Sequence, residues 1–400
     1  MKSRLPRWLL LIVVGAFSVG GAAAAEDKFS AVPKSVEPFV ARGEISGAVM
    51  LVAMRDRVLH LSAVGTSDVA TQRPMRTDDL FWIASMTKPM AAVCVAMLAD
   101  EGRLKYDDPV QQYLPEFGEQ WIVAEQGAER RVLTKAERPI TIRALLTHTS
   151  GMGNYTVTDP HWSLAEMTKV AAREPLRFAP GSRWGYSTAG IDALGRIVEV
   201  VSGVPFAEFM QRRLFIPLGM KNTTYWPTEA QEKRFVRNYR ISPATGKLEE
   251  VKISYLYGGA VTDRARPPLG GAGLFSTAED VARFYQMMLN GGELSGRRVL
   301  KAETVTEMTR NQIGAITARP GITWGLGFNV VVDGAMMPAN ATLSPGSFGH
   351  GGAHGTNSWA DPTRGLIYVF MIQRAGLENA DDSPMRRAYQ QAVAAVLDAN

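Results

Sequence analysis

The sequence predicts a mixed α/β (α+β) fold in which both ends of the chain contribute to one sheet and a mostly helical region lies between them. Branched apolar runs, typical of strands covered by helices, occupy residues 47–54 and 58–64. Comparable runs return only after Trp324. From about residue 103 to 270 the pattern favours helices and long loops, so the strands are expected at the two termini.

Residues 1–25 have the pattern of a secretory signal peptide, with basic Lys2, Arg4 and Arg7, an apolar run and four alanines at 22–25. The strongly apolar part is far shorter than the roughly 20 residues that span a bilayer. We therefore expect a periplasmic or secreted protein with no stable membrane span after cleavage. Removal of this segment leaves 41 basic and 39 acidic side chains, so the net charge falls from +5 to +2. Charge then gives no argument for a nucleic-acid partner.

After a short helix near residues 33–43 and the two strands, Ser85 and Lys88 stand at the predicted start of a buried helix that Gly102 ends. Residues at i and i+3 share a helix face, so the Lys88 ammonium group can reach the Ser85 hydroxyl. Two interpretations are open: Ser85 only caps the helix and Lys88 is a solvated charge, or Ser85 is a nucleophile and Lys88 its base. The single cysteine, Cys94, lies in the same helix and is expected to be a core residue.

The central region contains helical patterns at residues 140–146, at 189–201 before Gly203, and at 280–289, where Ser276 and Glu279 have capping-box spacing. The polar segment 118–138 is expected to be a mobile loop. Strand patterns return at 325–332, 347–350 and 365–372, and a helix is expected at 384–397. The sheet should therefore come from about residues 44–80 and 323–375, and the helical region should span about 100–290.

Two further motifs carry polar groups. Tyr186 precedes a helix in Trp-Gly-Tyr-Ser-Thr, where the phenol could be a catalytic group or a buried aromatic plug. In the glycine-rich stretch 348–356, glycines allow close approach of a ligand to a strand, and His350 and His354 would share a strand face. A metal would need a third ligand, and none is evident nearby, so we expect no metal.

Taken together, Ser85-x-x-Lys88, Tyr186-Ser-Thr188 and His350-Gly-Gly352 resemble the motifs of the serine β-lactamase-like hydrolases. The nearest groups are class C β-lactamases, D,D-peptidases and family VIII carboxylesterases. Tyr186 follows Ser85 by 101 residues and His350 follows Tyr186 by 164. The resemblance covers roughly residues 35–395 and implies a β-lactamase/transpeptidase-like fold with an antiparallel sheet, as one hydrolase domain over 26–400.

The resemblance implies that Ser85 attacks a carbonyl and forms an acyl-enzyme, while Lys88 and Tyr186 share the base and acid roles. It also implies an oxyanion hole from the N–H groups of Ser85 and Ala353, with Ala353 on the strand of the third motif. Thr188, His350, Gly351 and Gly352 are the implied substrate-binding residues, and no cofactor is implied. The order of proton transfer between Lys88 and Tyr186 is left open.

Two departures from the family pattern concern the substrate. Thr188 stands where β-lactamases usually have Asn, and His350 stands where they usually have Lys. Histidine is only fractionally charged near neutral pH, so recognition of a carboxylate should be weaker.

The sequence therefore predicts a serine hydrolase of esters or amides. The alternatives are a β-lactamase or D,D-carboxypeptidase, an acyltransferase, and a catalytically inert member that only binds a ligand. The natural substrate and the oligomeric state stay open.

Overall fold

The computed structural model describes residues 28–127, 130–155, 157, 159–257 and 259–399, so the expected signal peptide lies outside the described residues. The strands in chain order are β1 (Gly47–Met54), β2 (Val58–Asp68), β3 (Arg73–Pro74), β4 (Phe81–Trp82), β5 (Trp121–Gln126), β6 (Arg131–Lys135), β7 (Tyr239–Ile241), β8 (Leu248–Glu250), β9 (Phe275–Ser276), β10 (Glu293–Leu294), β11 (Arg297–Arg298), β12 (Ile322–Trp324), β13 (Asn329–Val331), β14 (Phe348–Gly351), β15 (Asn357–Asp361) and β16 (Leu366–Met371). The helices are α1 (Ala31–Ala41), α2 (Thr87–Asp100), α3 (Ile142–Leu146), α4 (Leu164–Arg173), α5 (Thr188–Ser202), α6 (Phe206–Met210), α7 (Ile216–Leu218), α8 (Glu229–Glu232), α9 (Ala278–Leu289), α10 (Ala302–Met308) and α11 (Pro384–Asp398).

An eight-stranded antiparallel sheet in the order β12-β13-β14-β15-β16-β1-β2-β3 forms the centre of the molecule. Within it β1 pairs directly with β16, in a register that places Val49 opposite Met371. The two ends of the chain therefore build one sheet, and the predicted fold class is confirmed. Two details differ: the run at 325–332 is split between a turn and β13, and β15 was not anticipated.

Alternate residues of β1 enter two different cores, as the period of a strand requires. Val49 and Leu51 pack on the side of α2, while Met50 and Val52 pack on the side of α1 and α11. Every residue of α2 from Thr87 to Leu98 is buried. This burial on all faces places the start of α2 deep between the sheet and the helical region.

Local signals explain the helix ends near the site. The Ser187 side chain caps α5 by accepting the Gly190 N–H at 3.1 Å, and Gly203, with φ +73°, ends this helix as predicted. At α9 the cap is Thr277, whose side chain accepts the Asp280 N–H, and not Ser276. The N-cap of α9 is therefore one residue later than expected.

The polar segment 118–138, expected as a loop, contains the hairpin β5–β6. Its first strand also bonds a neighbouring segment, because Val123 N–H donates to the Leu176 carbonyl at 2.9 Å and Leu176 N–H donates to the Trp121 carbonyl at 2.7 Å. Among the described residues, no helix combines the length and the apolar character needed to cross a bilayer. Cys94 is buried in α2, as expected, and burial raises the pKa of its thiol.

Candidate active site

Ser85 lies in a tight turn that leads into α2. The turn is the 3-10 segment Ala84–Met86, and Ala84 adopts φ +47°. A left-handed φ is uncommon for a residue with a Cβ and persists only where packing enforces it. Ala84 is held in a buried cluster with Trp82 and Phe275. The enforced turn brings Ser85 to the start of α2, with its side chain only half-buried.

Lys88 lies one turn further along, with 0% of its surface exposed. Its Nζ atom donates to the Ser85 Oγ at 3.1 Å and to the Gly271 carbonyl at 2.7 Å, and it lies 3.4 Å from the Thr188 Oγ1. Burial disfavours the ammonium form and lowers the pKa of Lys88 to about 7, against an opposing effect of the Asp192 charge. Near neutral pH a large share of Lys88 is therefore unprotonated and able to accept a proton.

Tyr186 brings a third group to the same place from the start of α5. Its ring centroid lies 4.7 Å from the Lys88 Nζ atom. Loss of water around the phenol raises its pKa above the ordinary value, although the nearby Ser85 side chain acts in the opposite direction. Tyr186 therefore stays protonated at neutral pH and can donate its proton.

His148, which the sequence analysis did not single out, holds the backbone on both sides of Tyr186. Its carbonyl accepts the Gly185 N–H at 2.8 Å and its Nδ1 accepts the Ser187 N–H at 3.2 Å. Its ring lies 4.5 Å from the Tyr186 ring, and burial lowers its pKa well below the usual value. A histidine inside the stretch Leu-Leu-Thr-His-Thr-Ser-Gly was the available signal.

His350 lies on β14 and is only 4% exposed. Its Nδ1–H donates to the Gly351 carbonyl at 2.7 Å, which leaves Nε2 as an acceptor without a partner in the described part of the chain. Burial lowers the pKa of His350 to about 3, assisted by the Lys88 charge. The imidazole is therefore neutral at pH 7, which corrects the expectation of a fractional charge.

Ala353 was expected on the strand of the third motif. The structure places it after that strand, because β14 ends at Gly351. It lies in the turn between β14 and β15, and its side chain is exposed. This turn still lies beside Ser85, since Thr356 Oγ1 donates to the Ile83 carbonyl at 3.3 Å. A Cβ added at Gly352 would come within 2.7 Å of the same carbonyl, so only glycine fits there.

His354 also departs from the expected strand face. Its Nδ1 lies 2.6 Å from the Asn238 Oδ1, and its ring meets the edge of Trp82 at 4.8 Å. Across the described ranges, no group of three His, Cys, Asp or Glu side chains is arranged to hold a metal ion.

A cavity of about 250 Å³ adjoins Thr188, the first residue of α5. Thr188 N–H donates to the Asn154 Oδ1 at 3.1 Å, so an amide side chain does reach this position from another segment. Three tyrosines and several polar side chains are among the lining residues: Asn154, Tyr155, Val157, Thr188, Ala189, Asp192, Ser254, Tyr255 and Tyr257. The volume is at the small end for ligand sites, which suits a short substituent.

Asp192 is a second residue that the sequence analysis missed. It is the acidic residue of the apolar stretch that begins α5, and it lies four positions after Thr188 on the same helix face. Burial raises its pKa to about 6. A carboxylate in an otherwise apolar helix segment was the signal that could have found it.

Comparisons with known proteins agree on one family. The family model described as Beta-lactamase matches residues 32–392. Esterase EstB from Burkholderia gladioli is 32% identical over 360 residues, which cover 82% of this chain and 86% of that protein. An Escherichia coli K12 protein provisionally named D-alanyl-D-alanine carboxypeptidase is 27% identical over 358 residues, which cover 83% of this chain and 79% of that protein.

A solved structure has the same architecture. EstCE1, described as a hydrolase with promiscuous acyltransferase activity, superposes with a TM-score of 0.77 at 24% identity, over 92% of this chain and 98% of that chain. At this identity the similarity establishes the fold and leaves the substrate to chemical argument.

Proposed function

Because this chain belongs to the β-lactamase family, as its three motifs predicted, and is a serine hydrolase related to esterases and carboxypeptidases, we propose that it cleaves an ester or amide through an acyl-enzyme on Ser85. The observation that carries the proposal is the buried Lys88 amine 3.1 Å from the Ser85 hydroxyl. A serine nucleophile needs a base within this distance, and lysine serves as one when burial lowers its pKa.

In the proposed first step, unprotonated Lys88 takes the Ser85 proton while Oγ attacks the substrate carbonyl carbon. The lowered pKa of Lys88 and the raised pKa of Tyr186 support this order over the reverse. The negative charge that develops on the carbonyl oxygen is stabilised by the N–H groups of Ser85 and Ala353. Donors placed for the transition state typically contribute about 10²–10³-fold each.

In the second step the carbon–oxygen or carbon–nitrogen bond of the substrate breaks. Tyr186 donates its proton to the leaving group and recovers one from protonated Lys88, which lies against its ring. Water then attacks the acyl-enzyme and gives a proton to this pair of groups, which return one to the Ser85 oxygen as the acid is released. The Lys88–Ser85 contact and the position of Lys88 beside Tyr186 supply this path.

An ester with a short, uncharged acyl group is the substrate class that the surroundings favour. The cavity beside Thr188 is small, and His350 is neutral where a carboxylate of the substrate would need a positive charge. Arg319 lies near the site, with its guanidinium 6.0 Å from the Tyr186 ring centroid, but it is paired with Asp381 at 2.6 Å. The identity with EstB supports the same choice.

Other activities remain as alternatives. D,D-Carboxypeptidase or β-lactamase activity is supported by the named relative from E. coli, and acyl transfer to an added alcohol is supported by the description of EstCE1. Nitrocefin turnover tests the β-lactamase, release of D-alanine from a peptide tests the carboxypeptidase, and an acylated acceptor reveals the transferase. An inert binding protein would give no covalent adduct. We further propose a periplasmic or secreted location, which the basic and apolar pattern of residues 1–25 supports.

The test of this function is labelling of the purified mature protein with a fluorophosphonate, followed by intact-mass and peptide mass spectrometry. We expect one adduct on the peptide that contains Ser85 and none in Ser85→Ala. Ser295→Ala is the control, because this exposed serine lies in the turn between β10 and β11, outside the cavity, and should leave labelling intact. Equal labelling of wild type and Ser85→Ala would show that the nucleophile is another residue.

His350→Lys should raise the preference for carboxylate-bearing esters by lowering their KM about tenfold relative to neutral esters, which corresponds to about 1.4 kcal/mol from one charge-assisted hydrogen bond. The measurement is the ratio of KM values for the p-nitrophenyl monoester of succinate and p-nitrophenyl butyrate. His350→Gln keeps a neutral side chain and should keep the wild-type ratio. A ratio that does not change in His350→Lys would remove this position from the carboxylate site.

A further inference from the structure

A buried carboxylate is connected to Lys88 through the backbone of a single residue, Gly271. Asp192 is only 5% exposed, and its Oδ1 accepts the Gly271 N–H at 2.8 Å. The carbonyl of Gly271 accepts the Lys88 Nζ–H at 2.7 Å. Lys88 is therefore bonded to the carbonyl of Gly271, and Asp192 is bonded to its N–H.

The backbone at Gly271 approaches α5 too closely for any side chain. A Cβ at this position would lie 2.4 Å from the Thr188 Cγ2 atom and 3.2 Å from the Asp192 Oδ1 atom. The first distance is far inside van der Waals contact. A glycine is therefore required for the backbone at this position to reach both Asp192 and Lys88. Thr188 and Asp192, one helical turn apart, thus fix the position of the group that holds Lys88.

We propose that Asp192 is a positioning residue for the base of the reaction, acting on Lys88 through the backbone of Gly271 and through its negative charge. This inference rests on the proposed role of Lys88 and extends it to a residue outside the three motifs. The Asp192 bond to the Gly271 N–H fixes the position of this backbone segment, and the carbonyl of Gly271 in turn holds the Lys88 amine. The hydrogen bond directs one Nζ–H away from Ser85, and so fixes the orientation of the amine towards the nucleophile.

The charge of Asp192 opposes the effect of burial on Lys88. Burial lowers the pKa of Lys88, and the negative charge of Asp192 raises it. The balance keeps the pKa near 7, where the amine is unprotonated often enough to act as a base and basic enough to take the Ser85 proton.

The other titratable groups around the pair do not supply this charge. Lys88 faces Tyr186 and two buried neutral histidines, His148 and His350. The phenols whose pKa the Asp192 charge raises are protonated at neutral pH and come from three other segments: Tyr155, Tyr225, Tyr255 and Tyr257. Arg319 and Asp381, near Tyr186 and His350, neutralise each other.

The experiment compares the pH dependence of kcat/KM for a p-nitrophenyl ester in wild type, Asp192→Asn and Asp192→Ala. Both variants remove the charge, and only Asn keeps an oxygen for the Gly271 N–H. We expect the acid limb to move to lower pH by about one unit in both variants, since an opposite charge within a few ångströms shifts a pKa by about 1–3 units. The plateau should fall further in Asp192→Ala, because the Gly271 N–H then lacks its acceptor.

Glu199→Gln is the matched control, because Glu199 lies two turns further along α5 and its Oε1 accepts the Phe206 N–H at 3.1 Å, a bond that Gln can keep. Its acid limb should coincide with that of wild type. Thermal unfolding identifies the folded variants, and either Asp192 variant alone is sufficient for the test. An unmoved acid limb in a folded Asp192 variant, or an equal shift in Glu199→Gln, would overturn the proposal. Failure of the proposed function would appear separately, as labelling that persists in Ser85→Ala.

Discussion

The Lys88→Met enzyme is expected to hydrolyse p-nitrophenyl butyrate with kcat/KM about 10³-fold below wild type, since general acid–base catalysis contributes about 10²–10⁴-fold. Methionine is close to lysine in length and can fill the fully buried site. It removes the amine that lies 3.1 Å from the Ser85 Oγ. The loss should appear chiefly in kcat, because Lys88 acts on the nucleophile and not on the bound ester.

The pH profile gives this prediction a second readout. Because the pKa of Lys88 is lowered to about 7, wild-type kcat/KM should rise as the pH increases through 7 and should be lost as the amine gains a proton below it. Lys88→Met should lack this limb. The exposed Lys169→Met is the control for the substitution itself and should behave as wild type. A Lys88→Met enzyme with near wild-type rates would exclude Lys88 as the base.

Tyr186→Phe is expected to lower kcat/KM about 10²–10³-fold for an alkyl ester, which is the usual contribution of one general acid. The change removes one hydroxyl and keeps the ring, so the packing of Tyr186 against His148 and Lys88 should persist. The loss should be much smaller for a p-nitrophenyl ester, since p-nitrophenolate leaves without a proton. A loss of kcat/KM that depends on the leaving group is therefore expected only if Tyr186 donates a proton to it.

The measurement is kcat/KM of wild type and Tyr186→Phe for p-nitrophenyl butyrate and ethyl butyrate, with ethyl butyrate followed by acid release at constant pH. Tyr255→Phe removes a hydroxyl from the adjoining cavity and is the control for the loss of a phenol near the site. An equal loss for both esters in Tyr186→Phe would assign the hydroxyl to binding or to alignment of Ser85 and not to the leaving group.

Continuous apolar runs made most of the fold predictable. The strands β1 and β16 are both buried over nearly their whole length, so their sequences contain few polar residues and are easily recognised. By contrast, β15 includes Ser358 and Asp361, which are buried with hydrogen-bond partners that only the tertiary structure supplies. The hairpin β5–β6 is mostly exposed and polar, so its sequence does not differ from that of a loop.

The site shows the same difference between residues that a sequence pattern reveals and residues whose role depends on tertiary contacts. Ser85, Lys88 and Tyr186 were identified because family motifs hold them at fixed intervals, and the structure brings the three groups together, while their catalytic roles stay predictions. Asp192 was missed because its partner is a backbone N–H at Gly271, 79 residues away, which no spacing in the sequence reveals. The charge of His350 was misjudged for a related reason, since burial decides it.

The pairing of β1 with β16 affects when a functional enzyme first exists. Residues 49 and 371 are neighbours in the middle of the sheet, so the sheet cannot close before residue 371 has been synthesised. Contacts between such distant positions slow folding, because a long loop must be ordered before they form. The sheet that supports the catalytic centre is therefore complete only after β16 has been made and has docked on β1.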